Sequence, residues 1–350
     1  MSSYKMIAEH AGVSIGTVYR VTHERGRVAD ATRERVKRAI AELGYERNIY
    51  ASNLSRQKTY RFGLLMPRTH LNSGYWQFPY AGAMAAGAEL QKYRVAIEPF
   101  LYDENSLRSF EYYARSAREA ELDGLLVAAV TAVMDGNVID RLPEVPRVHF
   151  DSYVEDPRAI GYVGQDSHAS GRLAAHLMAV ACSLPCRVIA IRAFHGEPAS
   201  TSWTHHIEER VQGFSEYATE RDGFQVIEVA VDTVSGLKGF QAAIETGLAE
   251  NSAVDGIFVS NSETHLAVDA VRSIPELHGK HVRIVGYDLV DRNTRLLKDG
   301  SIDFLLCQRP YEQGYRGVHL LHRSVVLKEE VGGRETLPTD IVTQENLPEA

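Results

Sequence analysis

The residues of this chain whose types and spacing best suit contact with another molecule follow a glycine near its start. Gly12 can adopt the positive φ of a tight turn, and Ser14 stands where an N-cap belongs for the helix that follows. Ile15, Gly16 and Tyr19 would then face outward near the start of that helix. In a helix-turn-helix, this position meets base edges in the major groove of DNA.

Phosphate contacts are expected from the same helix and from the loop behind it. Thr17 is placed to reach a phosphate, and Arg20 can bind a phosphate or fork onto a guanine. A loop follows from His23 to Val28, in which His23 and Arg27 are further candidates for DNA contact. These residue types predict a surface that binds a polyanion and reads part of its sequence.

Three short helices would position these side chains. Ile7, Ala8 and Ala11 form the apolar face of the first, and Val18 and Val21 give the second its buried side. The third is predicted to have Asp30 as its N-cap and to run to residue 43, after which Gly44 ends it. Its apolar stripe consists of Val36, Ala39, Ile40 and Leu43.

The charge of the chain is divided unevenly. Residues 1–60 contain 11 Lys or Arg and 6 Asp or Glu, which gives a net charge of +5. The whole chain has a net charge of -8, so the remainder carries -13 (-8 minus +5). A basic head on an acidic body suits a head that meets a polyanion and a body that does not.

The body alternates strands and helices. Helical spacing occurs at 80–91, 106–120 and 167–181, and apolar strands are predicted at 61–67, 94–101, 124–130, 147–150, 162–163, 187–191, 224–231, 256–259, 282–285 and 304–307. Such alternation is typical of α/β proteins with parallel sheets covered on both faces. Because roughly 290 residues exceed one ordinary core, we predict two lobes.

Residues 4–56 resemble the head of the LacI/GalR family of bacterial transcriptional regulators. The matching residues are Ile7, Ala8, Ala11, Gly12, Val13, Ser14, Thr17, Val18, Arg20, Val21, Val28, Thr32, Arg33, Val36, Ala39, Leu43, Gly44, Tyr45, Asn48, Ala51 and Leu54. The resemblance implies an all-α helix-turn-helix domain over residues 1–56, with Ile15 and Gly16 at the base-reading positions. Because Gly16 has no side chain, most direct readout by this pair would fall to Ile15, for example through contact with a thymine methyl.

The segment from Asn48 to Ser55 is similar to the hinge helix of that family. The resemblance implies a helix at about 48–55 that orders when a dimer binds its operator, with Asn48, Ala51 and Leu54 as DNA contacts. Leu54 would wedge into the minor groove and kink the duplex. Arg47 stands where the family usually has proline, so a rigid entry to the hinge is lost and a positive charge is gained.

The body resembles the type I periplasmic sugar-binding fold that these regulators carry as an effector module. The matching pieces are Asp166, Gly171, Arg210–Phe214, Asp255–Asn261, Ile284–Asp288 and Leu305–Gln308. The resemblance implies a two-lobed, parallel-sheet domain over 61–345 that the chain crosses three times. Lobe N would comprise about 61–164 plus 304–333, and lobe C about 165–303 plus the tail.

A ligand would bind between the lobes, at the carboxyl ends of the strands. By the resemblance, Arg210 holds two hydroxyls or a carboxylate with its planar fork, and Asp288 accepts hydrogen bonds from hydroxyls. Asn261, at the end of an apolar strand, offers both a donor and an acceptor. Further candidates are two residues at matching strand ends and two aromatic residues able to stack on a sugar, namely Asp151, Gln308, Trp76 and Phe78.

Plainer interpretations exist for these residues. Arg210 could form a surface ion pair, Asp288 could cap the following segment, and Trp76 and Phe78 could pack between the lobes. A sugar, a sugar acid or a polyol suits the predicted site, whereas a purine has less support. Arg210 alone does not distinguish neutral from acidic sugars, since the family uses it for both.

Other chemistries have less support in the sequence. Cys182, Cys186 and Cys307 form no CxxC pair, and His176 lies on an ordinary amphipathic helix, so we expect no metal site. No phosphate loop or nucleophile elbow occurs, so we expect no cofactor and no enzyme. Few cysteines, the lack of a signal region and the lack of a membrane span favour the cytoplasm.

The sequence therefore predicts a LacI-type transcriptional regulator, either a repressor or an activator, that is controlled by a small effector. It would bind a near-palindromic operator in double-stranded DNA as a homodimer. A dimer is favoured over a tetramer because no heptad extension is evident. The alternatives are a sugar-binding receptor of a transport system and, with less support, an α/β enzyme.

Overall fold

A computed structural model describes residues 4–22, 26–44, 58–70, 73–130, 139–194, 205–250 and 253–347. The chain divides into two compact units, Met1–Lys58 and Thr59–Ala350. No helix within the described ranges is both long and apolar enough to cross a bilayer. Of the predicted features, the hinge helix at about 48–55 lies outside the described residues.

Three helices form the described part of the first unit: α1 (Tyr4–Ala11), α2 (Ile15–Thr22) and α3 (Asp30–Glu42). Ile7, Val18 and Val36, one from each helix, are fully buried against one another in a small apolar core. Gly12 ends α1 with a φ of +63°, and Ser14 Oγ accepts a hydrogen bond from the amide of Thr17 at 3.2 Å. The turn and the cap of α2 are therefore as the sequence predicts.

The start of α3 differs from the sequence prediction. Asp30 is the first helical residue, and Ala29 occupies the N-cap position without a side-chain hydrogen bond. A carboxylate in the first turn still interacts favourably with the positive end of the helix dipole. Asp30 therefore marks the start of the helix correctly, but the prediction that it is the N-cap is wrong.

The second unit alternates strands and helices along the chain. In order, these are β1 (Tyr60–Pro67), α4 (Gln77–Leu90), β2 (Val95–Tyr102), α5 (Leu107–Glu119), β3 (Gly124–Val127), β4 (Arg147–Phe150), β5 (Ala159–Gly164), α6 (Ser167–Cys182), β6 (Cys186–Phe194), α7 (His205–Thr219), β7 (Phe224–Asp232), α8 (Gly236–Glu250), β8 (Gly256–Val259), α9 (Thr264–Ser273), β9 (Arg283–Tyr287), α10 (Asp291–Lys298), β10 (Phe304–Cys307), α11 (Pro310–Leu321), β11 (Arg334–Thr336) and β12 (Asp340–Val342).

Two six-stranded sheets organise this unit. The sheet of lobe N has the strand order β11-β5-β4-β3-β1-β2, and all its pairs are parallel. The sheet of lobe C has the order β12-β10-β9-β8-β6-β7, and only the edge pair β10–β12 is antiparallel. The α/β prediction is therefore confirmed, since helix crossovers are what parallel neighbours require.

The chain passes between the two sheets three times, and the predicted lobe limits need correction. β10 (Phe304–Cys307) pairs with β9 in lobe C, whereas the prediction assigned it to lobe N. The second crossing therefore follows Cys307, and α11 packs on α4 in lobe N. β11 lies in lobe N and β12 in lobe C, so the third crossing lies within the segment predicted as tail.

Close helix pairs in both lobes depend on glycines. A Cβ on Gly82 would lie 2.0 Å from the carbonyl oxygen of Tyr311, where α4 crosses α11. In lobe C, a Cβ on Gly171 would lie 2.0 Å from the carbonyl oxygen of Arg210, and one on Gly213 would lie 2.1 Å from that of His168. The α6–α7 contact thus brings the backbone of Arg210 against α6 and fixes where its side chain begins.

Candidate functional site

The outer face of α2 carries the residues predicted to read DNA. Ile15 is 51% exposed and Tyr19 is 40% exposed, although both are large and partly apolar. Ser14 and Gly16 are exposed beside them, and Thr17 is half-buried. Exposed apolar side chains at a helix start give this head a surface that its own core does not use.

Arg20 lies along the same helix in this structure. Its Nε donates to the carbonyl oxygen of Gly16 at 3.2 Å, and its Nη2 donates to Thr17 Oγ1 at 3.4 Å. Arg27 is exposed in the following loop. His23, Asn48, Ala51 and Leu54 lie outside the described residues, so their predicted DNA contacts remain predictions.

The second candidate site is a cleft between lobe N and lobe C. Four of the predicted residues lie at or just beyond strand ends: Asp151 next to β4, Asn261 two residues after β8, Asp288 next to β9 and Gln308 next to β10. They line one cavity together with Trp76 and Arg210, and this cavity has about 550 Å³ of empty space, its open mouth included. Strand ends of two sheets therefore converge here, as expected of an α/β ligand site.

A chain of hydrogen bonds joins three of these side chains. Gln308 Nε2 donates to Asp288 Oδ2 at 3.1 Å, and Gln308 Oε1 accepts from Arg210 Nη2 at 3.0 Å. All three side chains are at most 3% exposed. Since a neutral amide separates the carboxylate from the guanidinium, the pair is linked without forming a direct ion pair.

Further contacts hold the guanidinium of Arg210 in place. Its Nη1 donates to the carbonyl oxygen of Ser260 at 2.8 Å, and the group lies over the ring of Tyr287, 3.9 Å from the centroid. With the amide oxygen of Gln165 turned toward it, Arg210 Nε also donates to that oxygen at 2.8 Å. The side chain is therefore preorganised by lobe C before any ligand arrives.

Asp288 combines a left-handed backbone with an unsatisfied carboxylate oxygen. Its backbone φ is +67°, a region that side chains other than glycine, asparagine and aspartate rarely adopt. Its Oδ1 has no hydrogen-bond partner within the described part of the chain. Burial raises the pKa of this carboxyl to about 7, against the opposing effects of Arg210 and Gln308.

Lobe N presents a second buried carboxyl at the equivalent place. Asp151 follows β4 with a φ of +65°, and its Oδ1 accepts from the hydroxyl of Tyr75 at 2.6 Å. Burial raises the pKa of Asp151, while Tyr75 and Arg210 lower it. Two strand-end aspartates, one from each lobe, therefore face the same cavity.

The two predicted aromatic residues have different surroundings. Trp76 lines the cavity, packs edge-on against Phe150, and donates from Nε1 to Glu104 Oε2 at 3.1 Å. Phe78 does not line the cavity, which corrects its prediction as a stacking residue. It lies in the first turn of α4 and packs against the core of lobe N, because the helix turns it away from the cleft.

Several acidic or hydroxyl groups that were not predicted also line the cavity, among them Tyr75, Glu104 and Glu263. Glu104 comes two residues after β2, and Glu263 two residues after Asn261. Their positions just beyond strand ends were the available signal. Nothing in the sequence, however, indicated that these two residues would line one cavity from opposite lobes.

Asn293 organises the loops of lobe C and was also missed. It is fully buried, and its Nδ2 lies 2.8 Å from the carbonyl oxygen of Ser262 and 2.9 Å from that of Tyr287. Its Oδ1 accepts from the amide of His265 at 2.9 Å. One amide therefore ties the loops after β8 and β9, which carry Asn261 and Asp288.

Two family descriptions match this chain. Residues 5–48 match the family described as "Bacterial regulatory proteins, lacI family", and residues 62–329 match the "Periplasmic binding protein domain". The first match covers the three helices and the exposed face of α2. The second covers both sheets and the cleft between them.

Curated relatives and solved structures are similar along nearly the whole length. The ribose operon repressor of Halalkalibacterium halodurans is 25% identical over 99% of this chain and 97% of its own length. The lactose operon repressor of Escherichia coli is 26% identical over 92% of this chain and 89% of its own length. The solved complex of the transcriptional regulator CelR with cellobiose is 22% identical, covers 98% of this chain and 99% of its own, and superimposes with a TM-score of 0.63.

Proposed function

Since this chain belongs to the lacI family of bacterial regulatory proteins, we propose that it is a repressor whose operator affinity is set by a sugar-class effector in the interlobe cleft. The observation that carries this proposal is the buried Asp288–Gln308–Arg210 cluster, which lines the cleft with an unused carboxylate oxygen. Such a cluster costs stability unless a ligand with hydroxyl donors completes it.

The DNA-binding half of the proposal assigns roles along α2 and beyond. Ile15 contacts base edges, and Gly16 allows the helix to approach them closely. The DNA backbone or flanking bases are contacted by Ser14, Thr17, Tyr19 and Arg20. His23 and Arg27 add phosphate contacts. In the hinge segment, Asn48, Ala51 and Leu54 contact the minor groove. A homodimer places two such heads on a near-palindromic operator.

The second part of the proposal assigns roles in effector binding to the residues of the cleft. Asp288 and Asp151 accept hydroxyl hydrogens, Arg210 and Asn261 donate, and Trp76 covers an apolar face of the ligand. The names of relatives point to the same ligand class, since one is a ribose operon repressor and another was solved with cellobiose. Binding shifts the operator affinity only if the effector prefers one arrangement of the two lobes.

The protein acts by binding rather than by turnover. Its curated relatives include repressors of the ribose and lactose operons, and a regulator of this kind works in the cytoplasm, beside the chromosome. The effector should be recovered unchanged after incubation with the protein. Chemical conversion of a bound sugar would instead assign the cleft to an enzyme.

The full-length protein tests this proposal in two steps. A selection from random duplexes should yield a near-palindromic site, and fluorescence anisotropy should then show that one class of sugar changes the affinity for that site. Asp288→Asn should retain operator binding and lose the response to the sugar. A protein without sequence preference at any salt concentration would contradict the DNA-binding assignment.

A further inference from the structure

Two buried glutamates face the cleft from opposite lobes. Glu104 follows β2 in lobe N and Glu263 follows β8 in lobe C, and both are 5% exposed. Both line the cavity that holds Asp288 and Arg210. The family resemblance assigns neither residue a role, so their charge is an additional property of this cleft.

Each glutamate is held in place by its own lobe. Glu104 Oε2 accepts from Trp76 Nε1 at 3.1 Å, and the backbone amide of Glu263 donates to Asn261 Oδ1 at 3.0 Å. Ser262, next to Glu263, lies 2.7 Å from the hydroxyl of Ser73 in lobe N. The two carboxylates are therefore brought to the same cavity where the lobes touch.

Acidic groups outnumber basic groups in the described lining of the cavity. Its described lining includes four carboxyl groups, from Glu104, Asp151, Glu263 and Asp288, against one guanidinium, from Arg210, and one imidazole, from His206. That guanidinium already donates to Ser260 and Gln308. An anionic ligand would therefore lie among more acidic than basic groups, in a site of low dielectric constant.

The raised pKa of Glu263 follows from the same shortage of positive charge. Burial and the nearby negative charge of Glu104 raise the pKa of Glu263 to about 7, and Arg292 opposes them only in part. A positive charge beside the two glutamates would favour their ionised forms. Positive groups of the chain thus neutralise these carboxyl groups only in part.

An independent observation shows that the cavity is prepared for a donor. Asp288 is 2% exposed, lines the cavity, and leaves Oδ1 without a partner in the described ranges. In the same ranges, no three carboxylate, imidazole or thiol groups converge closely enough to hold a metal ion. Hydrogen-bond donors on an organic ligand therefore suit this cavity better than a bare cation.

We propose that the effector is a polyhydroxylated amine, such as an amino sugar, whose ammonium group lies between Glu104 and Glu263 while a hydroxyl donates to Asp288. This inference rests on the proposed function, since it specifies the ligand of the same cleft. An ammonium group has three donors and can bond both glutamates at once. By joining groups of lobe N and lobe C, it favours the closed arrangement of the lobes.

Calorimetry on the full-length protein with matched sugars tests this assignment. D-glucosamine, D-galactosamine and D-mannosamine are compared with the corresponding hexoses, N-acetylhexosamines and uronic acids. We expect at least one amine to bind ten or more times as tightly as its hexose, or roughly 1.4 kcal/mol. The N-acetyl form should lose this advantage because it is uncharged, and the uronic acid should bind least.

Isosteric variants locate the charge recognition. In Glu104→Gln/Glu263→Gln, the advantage of the amine over its hexose should disappear, and the affinity for the hexose is measured in the same variant. A hexose or uronic acid that binds as tightly as the amine, or an amine preference that survives in the double variant, overturns this inference and leaves the proposed function intact. If no amine, hexose or acid binds or alters operator affinity, both are overturned.

Discussion

At the scale of single residues, Asp288 combines strain, burial and an unused acceptor. Its φ of +67° and its unpartnered Oδ1 each raise the free energy of the folded state. Gln308 satisfies only Oδ2. A carboxylate retained under these conditions is better explained by a ligand than by folding, because an amide would pack equally well.

Asp288→Asn should therefore stabilise the ligand-free protein. The folded state raises the pKa of Asp288 to about 7 from an ordinary 3.8, while Arg210, Gln308 and Asp151 face it. When folding raises the pKa of an acid, the folded protein becomes less stable as the pH rises from about 4 to 7, since ionisation of the acid then favours the unfolded chain. The gain in free energy of unfolding should be larger at pH 8 than at pH 5, by about 2 kcal/mol. Urea unfolding measures both values, and an equal effect at the two pH values would contradict this account.

Asp156 shows the opposite ionisation behaviour in lobe N. Burial alone would raise its pKa, but hydrogen bonds from His149, from the backbone of Arg158 and from Arg147 together lower it to about 2. Its Oδ2 lies 2.8 Å from Arg147 Nη1 and 3.0 Å from His149 Nε2. This carboxylate is thus an internal anchor between the segments around β4 and β5, and it has no role in the cleft.

Asp156→Asn should destabilise the protein at neutral pH. A lowered pKa contributes stability above the ordinary value near 4, and this stability is lost as the pH falls toward 2. We expect a loss of about 2 to 4 kcal/mol at pH 7, because Arg147 would stay buried without its carboxylate, and a smaller loss at pH 3. Glu144→Gln is the control, since Glu144 pairs with Arg158 at the surface and should change stability by less than about 0.5 kcal/mol. Guanidinium titrations at the two pH values decide the matter.

At the scale of elements, the α6–α7 pair controls where Arg210 enters the cleft. Gly171 and Gly213 let the two helices touch through their backbones, at separations that leave no room for a Cβ. Both glycines belong to the sequence pieces that carry the family resemblance, and their spacing has this direct physical reason. The position of Arg210, and of the hydrogen bonds that link it through Gln308 to Asp288, depends on that contact.

Gly171→Ala should damage the effector response more than operator binding. The added methyl would lie 2.0 Å from the carbonyl oxygen of Arg210 and must push α7 away. We expect a loss of about 1 to 3 kcal/mol in stability and a weaker change of operator affinity with sugar. Gly332→Ala is the matched control, because its Cβ would meet nothing within 4 Å. An unchanged sugar response in Gly171→Ala would show that Arg210 does not depend on this contact.

The limits of the strands could be predicted from the sequence better than the sheet that each strand joins. The strands β4, β8 and β10 were predicted to the residue. In β8 and β10 the reason is that a short apolar run between polar turns has clear ends. β10 was nevertheless assigned to the wrong lobe, since four apolar residues do not specify which sheet they join. For the same reason, Glu104 and Glu263 were missed: each follows a strand separately, and only the folded chain brings both to one cavity.

At the scale of the whole molecule, the two parts of the chain carry opposite charge. Residues 1–60 have a net charge of +5 and the remainder -13. A positive head approaches duplex DNA under electrostatic attraction, whereas the acidic remainder is repelled by phosphate. Affinity and specificity should therefore come from different residues of the head, phosphate contacts supplying most of the former and base contacts the latter.

Ile15→Ala should separate these two contributions. Ile15 is exposed on α2 and contributes no charge, so its loss should weaken binding to the selected operator roughly tenfold, through lost apolar contact, and leave binding to an unrelated duplex unchanged. Arg27→Ala is the comparison: it should weaken both interactions together and reduce the slope of log K against log salt by about 1. Anisotropy titrations from about 50 to 200 mM salt measure both effects. If Ile15→Ala weakened binding to both duplexes equally, α2 would act as a phosphate clamp, and sequence reading would have to lie elsewhere in the head.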